Sequence, residues 1–147
     1  MSKTSISQLT CLCASFRRAT RALSQHYDEA LRPLGLRSTQ FSILQALDLA
    51  GEVSQGRLGQ ILATDSTTLT RTLDIMCQSG WVARREGKDR RRRLLSLSTT
   101  GRARLKRALP VWEKVQAQLK RQLGSKRWDT AMEMTNEVTS TVTEKET

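Results

Sequence analysis

Two neighbouring segments of the chain carry residues whose types suit contact with nucleic acid. The first follows Asp65 on a predicted helix, and its exposed side chains are Ser66, Thr67, Thr68, Thr70 and Arg71. Short hydroxyl side chains allow a helix to lie deep in a major groove, and an arginine can bind guanine through two hydrogen bonds. Because serine and threonine are common on helix surfaces, this segment taken alone fits a helix without a partner equally well.

The second segment is a strongly basic loop. Its candidate DNA-contacting residues are Lys88, Asp89, Arg90, Arg91, Arg92 and Arg93. The tip of a β-hairpin is narrow enough to enter a minor groove, where the negative potential favours arginine. We expect Asp89 to hold the side chain of Arg91 for insertion. An isolated basic run is usually a solvated surface, but this one follows a predicted pair of helices and lies between two strand patterns, so we predict that it contacts DNA.

Two short helices precede the basic loop. Ser54 and Asp65 are suitable N-caps, and a turn of about three residues, 63–65, separates the helices that they begin. Gly59 lies where the two helices must approach closely, and a small residue suits that position. This is the arrangement of a helix-turn-helix, with its second helix starting at Asp65.

The apolar pattern changes after the second of these helices. Residues 81–85 and 93–98 are predicted to form two strands, and residues 86–92 connect them. The predicted fold class is therefore mostly α with a small β-hairpin wing (α+β).

Longer amphipathic helices flank this unit. The first has apolar residues at spacings of three and four, and Gly35 is expected to end it. Thr99 or Thr100 is expected to cap another long helix, which Pro110 should kink or split. A last helix is predicted over residues 126–143.

Composition and charge narrow the class of partner. The chain has 147 residues and a net charge of +11, and the stretch 84–107 contains eleven Lys or Arg residues against two acidic ones. A basic patch this concentrated indicates an acidic partner. No run of 18 apolar residues is present, so no membrane partner is expected. The first residues lack the layout of a secretory signal, and a cytoplasmic location is the expectation.

Catalytic and metal-binding patterns are missing from the sequence. Cys11 and Cys13 would point about 200° apart on a helix, which disfavours a local disulfide and a shared metal ion. His26 is the only histidine and has no evident ligand set around it. The chain also lacks a phosphate-binding glycine loop and a nucleophile–base pairing. We therefore predict no enzyme activity, no cofactor and no metal.

Several motifs resemble those of MarR-type regulators. They are the Leu-Gly-Gln-Ile-Leu-Ala run with the following helix at 58–71, Gly-Trp-Val at 80–82, the Asp-x-Arg pattern of Asp89 and Arg91, the Leu-Ser-Thr-Thr-Gly run at 97–101, and the junction at 33–41. The family has threonine where Ser98 stands. The similarity runs along nearly the whole chain in the right order.

The resemblance implies a winged helix-turn-helix in an obligate homodimer. Residues 35–100 would form the DNA-binding domain, and residues 1–34 and 101–147 would form long N- and C-terminal dimerisation helices. Wide apolar stripes on those helices agree with this, because a single small domain could not bury them. Two heads about 34 Å apart would bind a palindromic operator. Such regulators usually repress a promoter and leave it when a small ligand or an oxidant binds.

Two kinds of sensing site are open at this point. Cys13 matches the peroxide-sensing position of one branch of the family, although that branch has tyrosines where this chain has other residues, including Phe41. Cys13 is therefore either such a sensor or a small apolar filler at the dimer interface. The alternative sensor is a site for an aromatic or organic-acid effector, in which Arg17 or Arg21 meets the carboxylate and Phe41 or Trp112 forms an apolar wall.

A different class of function fits the same charge. A non-specific architectural DNA-binding protein would bind through its cations alone, with little discrimination between sequences and strong dependence on salt. A sequence-specific regulator would instead prefer one palindrome by about 10³-fold or more.

Overall fold

The structure, a computed structural model, describes residues 10–89 and 91–144. Within them helices dominate, and a small antiparallel sheet lies near the middle of the chain. The elements are α1 Leu12–Leu31, α2 Ser38–Ala50, β1 Val53–Ser54, α3 Gln55–Leu62, α4 Ser66–Gln78, β2 Val82–Glu86, β3 Arg93–Leu97, α5 Thr99–Leu123 and α6 Ser125–Thr143. We call the β2–β3 hairpin and its loop the wing, and α2, α3, α4 and the sheet together the head.

The first helix ends earlier than its apolar pattern predicts. α1 stops at Leu31, and Arg32–Leu34 form a single turn of 3-10 helix. Gly35 closes this turn at a left-handed φ of 67°, and its N–H donates to the Arg32 carbonyl over 2.9 Å. The cause is Pro33, which has no N–H with which to continue an α-helix.

Both predicted N-caps of the helix-turn-helix are present. The Ser54 hydroxyl accepts the N–H of Arg57 over 3.1 Å at the start of α3. Gly59 suits the close approach of that helix to the turn, because a Cβ there would lie 3.3 Å from the Thr64 carbonyl oxygen, a tight contact. In the same turn Ala63 has a positive φ of 48°.

The sheet has one strand more than the sequence predicts. The order is β1-β3-β2. In β1, Val53 lies opposite Leu95, and Ser54 lies opposite Leu94. Two residues are too few to show the alternation by which a strand is recognised. β1 anchors the start of α3 to the wing.

The N-cap of α5 is Ser98, and not Thr99 or Thr100. The Ser98 hydroxyl accepts the N–H of Gly101 over 2.9 Å and donates to the Gly80 carbonyl over 2.5 Å. α5 then continues through Pro110 without dividing. The predicted last helix is present as α6.

The hydrophobic core joins the head to the bases of α1 and α5. Its fully buried side chains are Leu31, Leu44, Leu47, Leu58, Leu69, Leu73, Met76 and Leu95. In contrast, α6 has no buried residue, and Leu12 of α1 and Val142 of α6 are 60% and 66% exposed. Among the described residues, no helix combines the length and apolarity that a bilayer crossing requires.

Candidate nucleic-acid interface

The first turn of α4 presents a row of short hydroxyl side chains. Ser66, Thr67 and Thr68 are exposed, whereas Leu69 on the opposite face is buried. Asp65 fixes this end of the helix, because its carboxylate accepts the Thr68 N–H over 3.0 Å. That hydrogen bond also lowers the pKa of Asp65. The turn thus offers exposed hydroxyls that can form hydrogen bonds with phosphates or base edges, while Asp65 caps the helix.

Thr70 does not lie on the exposed face with the other predicted contacts. Its side chain is half-buried, and its hydroxyl accepts a hydrogen bond from Nε2 of Gln55 over 2.8 Å. Arg71, the next residue, is exposed as predicted. Four of the five predicted residues on α4 are therefore accessible, and the fifth faces α3.

The loop of the wing is a hydrogen-bonded turn. Lys88, Asp89, Arg91, Arg92 and Arg93 are exposed. The sixth predicted contact, Arg90, lies outside the described residues. The N–H of Gly87 donates to the carbonyl of Arg92 over 2.8 Å, which closes the base of the loop.

Asp89 shapes this loop in a different way from the one predicted. Its carboxylate accepts the backbone N–H of Arg91 over 3.1 Å, and its carbonyl accepts the N–H of Arg92 over 2.8 Å. Among residues 10–89 and 91–144, Asp89 forms no ion pair. The aspartate therefore fixes the backbone of the turn rather than the side chain of Arg91.

The two basic or hydroxyl-rich segments meet at one open groove. Its volume is about 870 Å³, and its walls include Asp65 and Ser66 at the start of α4 and Arg91 and Arg93 of the wing. The remaining wall is formed by α3, including Gln55, by the turn that follows α3, and by Thr143 at the end of α6. The structure thus brings together segments that are more than 20 residues apart in the sequence.

Two ion pairs attach the wing to the rest of the head. Both terminal nitrogens of Arg84 lie 3.1 Å from Oδ1 of Asp74 on α4. Arg85 donates to both carboxylate oxygens of Glu52, over 2.7 and 2.5 Å. Neither pair is predicted from the sequence, because the partners belong to different elements and follow no helical or strand spacing.

The Glu52–Arg85 pair should make stability depend on pH. The hydrogen bond from Arg85 holds the pKa of Glu52 below its usual value. A carboxyl with a lowered folded pKa stabilises the fold above its unfolded pKa, and this contribution is lost as the pH falls through the folded pKa. We therefore expect Glu52→Gln to melt below the wild type at about pH 7, and the difference to close at about pH 3.

Melting curves at equal protein concentration and low salt test this, because an exposed pair is screened by salt. Glu113→Gln on α5 is the matched control and should show no such pH-dependent difference. An equal difference at both pH values would mean that Glu52 acts through packing and not through its charge.

The predicted sensing residues form two separate contacts. Arg17 donates to the thiol sulfur of Cys13 over 3.4 Å, and both residues are exposed, as is Arg21. Phe41 is only 3% exposed, and its ring stacks on Trp112 with centroids 5.6 Å apart. The apolar wall predicted for an effector is therefore covered in this structure, because the ring of Trp112 stacks on the ring of Phe41.

The described part of the chain contains no group of three or more His, Cys, Asp or Glu side chains that could hold a metal ion. The exposed cations and hydroxyls around the groove can bind anions and form hydrogen bonds.

Comparisons with known proteins identify relatives of this chain. A family model described as MarR family matches residues 34–92. The chain is 33% identical over 87 residues to the HTH-type transcriptional regulator YwoH of Bacillus subtilis, which covers 59% of this chain and 64% of YwoH. It is 34% identical over 76 residues to the multiple antibiotic resistance protein MarR of Escherichia coli, and this alignment covers 52% of this chain and 53% of MarR. The matches thus span between about half and two thirds of these curated relatives.

Solved structures match over more of the chain. The M. tuberculosis transcriptional regulator MosR, crystallised with DNA, has a TM-score of 0.84 and 35% identity, and the match covers 93% of this chain and 99% of MosR. A cysteine mutant of E. coli MarR, crystallised with operator DNA, has a TM-score of 0.77 and 25% identity over 86% of this chain and 92% of that one. The winged-helix fold and the family resemblance predicted from the sequence are confirmed, and the chain belongs to the MarR family.

Proposed function

We propose that this protein is a sequence-specific DNA-binding transcriptional regulator. The observation that carries the proposal is the common groove of α4 and the wing, which Ser66, Arg91 and Arg93 all line. In this arrangement the first turn of α4 and Arg71 enter a major groove, and the wing loop reaches the adjacent minor groove. The DNA complexes of MosR and MarR support this use of the fold.

The functional unit that we propose is a homodimer. Residues 1–34 and 101–147 are its dimerisation regions, and 35–100 is the DNA-binding domain. Support comes from the apolar side chains that α1 and α6 expose, among them Leu12, Met132 and Val142. A second copy would cover these side chains and hold two heads about 34 Å apart, the spacing of one palindromic operator. Binding across a promoter would repress transcription in the cytoplasm.

Release from DNA completes the proposed function. An oxidant is supported by the exposure of Cys13, whose sulfur accepts a hydrogen bond from Arg17 over 3.4 Å. A small aromatic or organic-acid effector is the alternative, and it would have to separate Phe41 from Trp112 to use the expected wall.

Selection from a library of random duplexes tests the proposal. At about 150 mM salt the protein should enrich one palindrome and bind it about 10³-fold or more above a scrambled duplex of the same composition. Sedimentation should give two chains per duplex. Retention of all sequences alike, with affinity set by salt alone, would instead identify a non-specific architectural protein.

A further inference from the structure

One hydrogen bond joins α4 to the first residue of α3, next to the sheet that carries the wing. Gln55 is the first residue of α3 and directly follows β1, whose Ser54 lies opposite Leu94 of β3. Nε2 of Gln55 donates to the hydroxyl of Thr70 on α4 over 2.8 Å, in a half-buried position. The side chain of Gln55 therefore connects α4 to the residue that directly follows β1, the strand paired with β3 of the wing.

The Arg84–Asp74 pair attaches the same helix to the other side of the sheet. Arg84 belongs to β2, at the opposite edge from β1. Thr70 and Asp74 are four residues apart, so they lie one above the other on one face of α4. A helix held at two heights along one face cannot rotate about its axis unless at least one of these contacts breaks.

A small rotation of α4 would break its contacts with bases, because a hydrogen bond holds only over a narrow range of distances. Arg71 follows Thr70 by about 100° around the helix. If α4 turned by about 20°, side-chain atoms at a radius of about 5–6 Å would move by about 2 Å. That displacement exceeds the range of about 0.5 Å over which a hydrogen bond keeps its length. The wing, held by the sheet, would stay in place while the α4 contacts were lost.

We propose that Gln55 is a positioning residue that sets the rotation of α4 relative to the wing. It thereby determines which base pairs α4 contacts while the wing occupies the neighbouring groove. The inference rests on the proposed DNA-binding function and deepens it. Gln55 acts through Thr70, so its removal should reduce discrimination between sequences more than affinity for DNA in general.

The test uses the palindrome that the wild type selects, a set of duplexes with one base pair changed, and a scrambled duplex. The donor is removed by Gln55→Met, which keeps an unbranched side chain, and the acceptor is removed by Thr70→Val. Thr70→Ser retains the acceptor. Thr72→Val is the matched control, because Thr72 is also half-buried on α4 but its hydroxyl donates to the carbonyl of Thr68 over 3.2 Å.

We expect Gln55→Met to lower the ratio of palindrome to scrambled affinity by about tenfold, which corresponds to one impaired base contact. Binding to the scrambled duplex should fall by less than binding to the palindrome, because Gln55 carries no charge that would attract phosphate. Thr70→Ser and Thr72→Val should keep the wild-type ratio. Adding Gln55→Met to Thr70→Val should cause no further loss, because both changes break the same hydrogen bond.

Three results would overturn the inference. An unchanged ratio in Gln55→Met, with or without a lower melting temperature, would reduce Gln55 to a structural role. An additive loss in the double variant would show that Gln55 contacts DNA itself. If the wild type selects no sequence at all, the proposed function fails and the inference fails with it. If the wild type is selective and Gln55→Met is equally selective, only the inference fails.

Discussion

Replacement of Gly101 by alanine is expected to destabilise the fold by about 3 kcal/mol or more, at the upper end of overpacking effects. A Cβ at this position would lie 2.0 Å from the carbonyl oxygen of Trp81 and 2.9 Å from its carbonyl carbon. The obstacle is backbone, so no side-chain rotation can relieve it. Trp81 would have to move away, although its carbonyl accepts the N–H of Ser98 over 3.1 Å.

A displacement of Trp81 should also disturb the wing and the start of α5. Trp81 is buried in the core, and the guanidinium of Arg104 lies 4.8 Å above its ring. Arg104 also donates to the carbonyl of Leu34, at the junction of α1 and α2. A shift of Trp81 would therefore disturb the points at which the wing, α5 and the α1–α2 junction meet.

Melting temperature and denaturant midpoint, at equal protein concentration, measure this effect. A loss of about 3 kcal/mol corresponds to roughly 6–12 °C for a chain of this size. Gly56→Ala is the matched control, because no atom lies within 4 Å of a Cβ at Gly56 in α3. It should be neutral or stabilise by up to about 1 kcal/mol. A Gly101→Ala variant as stable as the wild type would mean that the backbone at Trp81 is free to move.

Local signals account for the parts of the fold that the sequence predicts. Ser54 and Asp65 each precede an apolar repeat, and an N-cap acts on the three residues that follow it. The sequence alone does not distinguish the cap of α5, because Ser98, Thr99 and Thr100 are adjacent and all carry hydroxyls. The structure selects Ser98 because its hydroxyl also reaches the Gly80 carbonyl across the chain, and that contact leaves no mark in the local pattern.

In the candidate interface, too, local residue types predict some features and leave out those that depend on contacts between elements. The residue types of α4 and of the wing loop indicate DNA, because charge and side-chain length are properties of the residues themselves. No local pattern marks Gln55, since its partner Thr70 is fifteen residues away on another helix. The prediction that Asp89 holds the side chain of Arg91 is wrong, because its carboxylate accepts the backbone N–H instead. Orientation across elements requires the folded chain, whereas the types of the residues do not.

Removal of one wing arginine should have the largest effect on DNA binding by a single side chain. Arg91 is exposed and lines the groove, and its backbone N–H donates to the carboxylate of Asp89. We expect Arg91→Ala to weaken binding to the selected palindrome by about 1–3 kcal/mol, or roughly 5- to 150-fold. Arginine in a minor groove is held by the concentrated negative potential, and alanine has nothing to replace it.

Arg121→Ala is the control that separates this contact from a loss of net charge. Arg121 lies in the last turn of α5, about 33 Å along the helix axis from Thr99, and is exposed. Both variants lose the same charge, so equal weakening would show that only the overall field of the protein matters and that the wing makes no contact. If instead Arg91→Ala alone weakens binding, measurements across salt concentrations identify the contact. A phosphate contact lowers the salt slope by about one for each arginine removed and weakens all sequences alike, whereas a minor-groove contact weakens the palindrome more than the scrambled duplex.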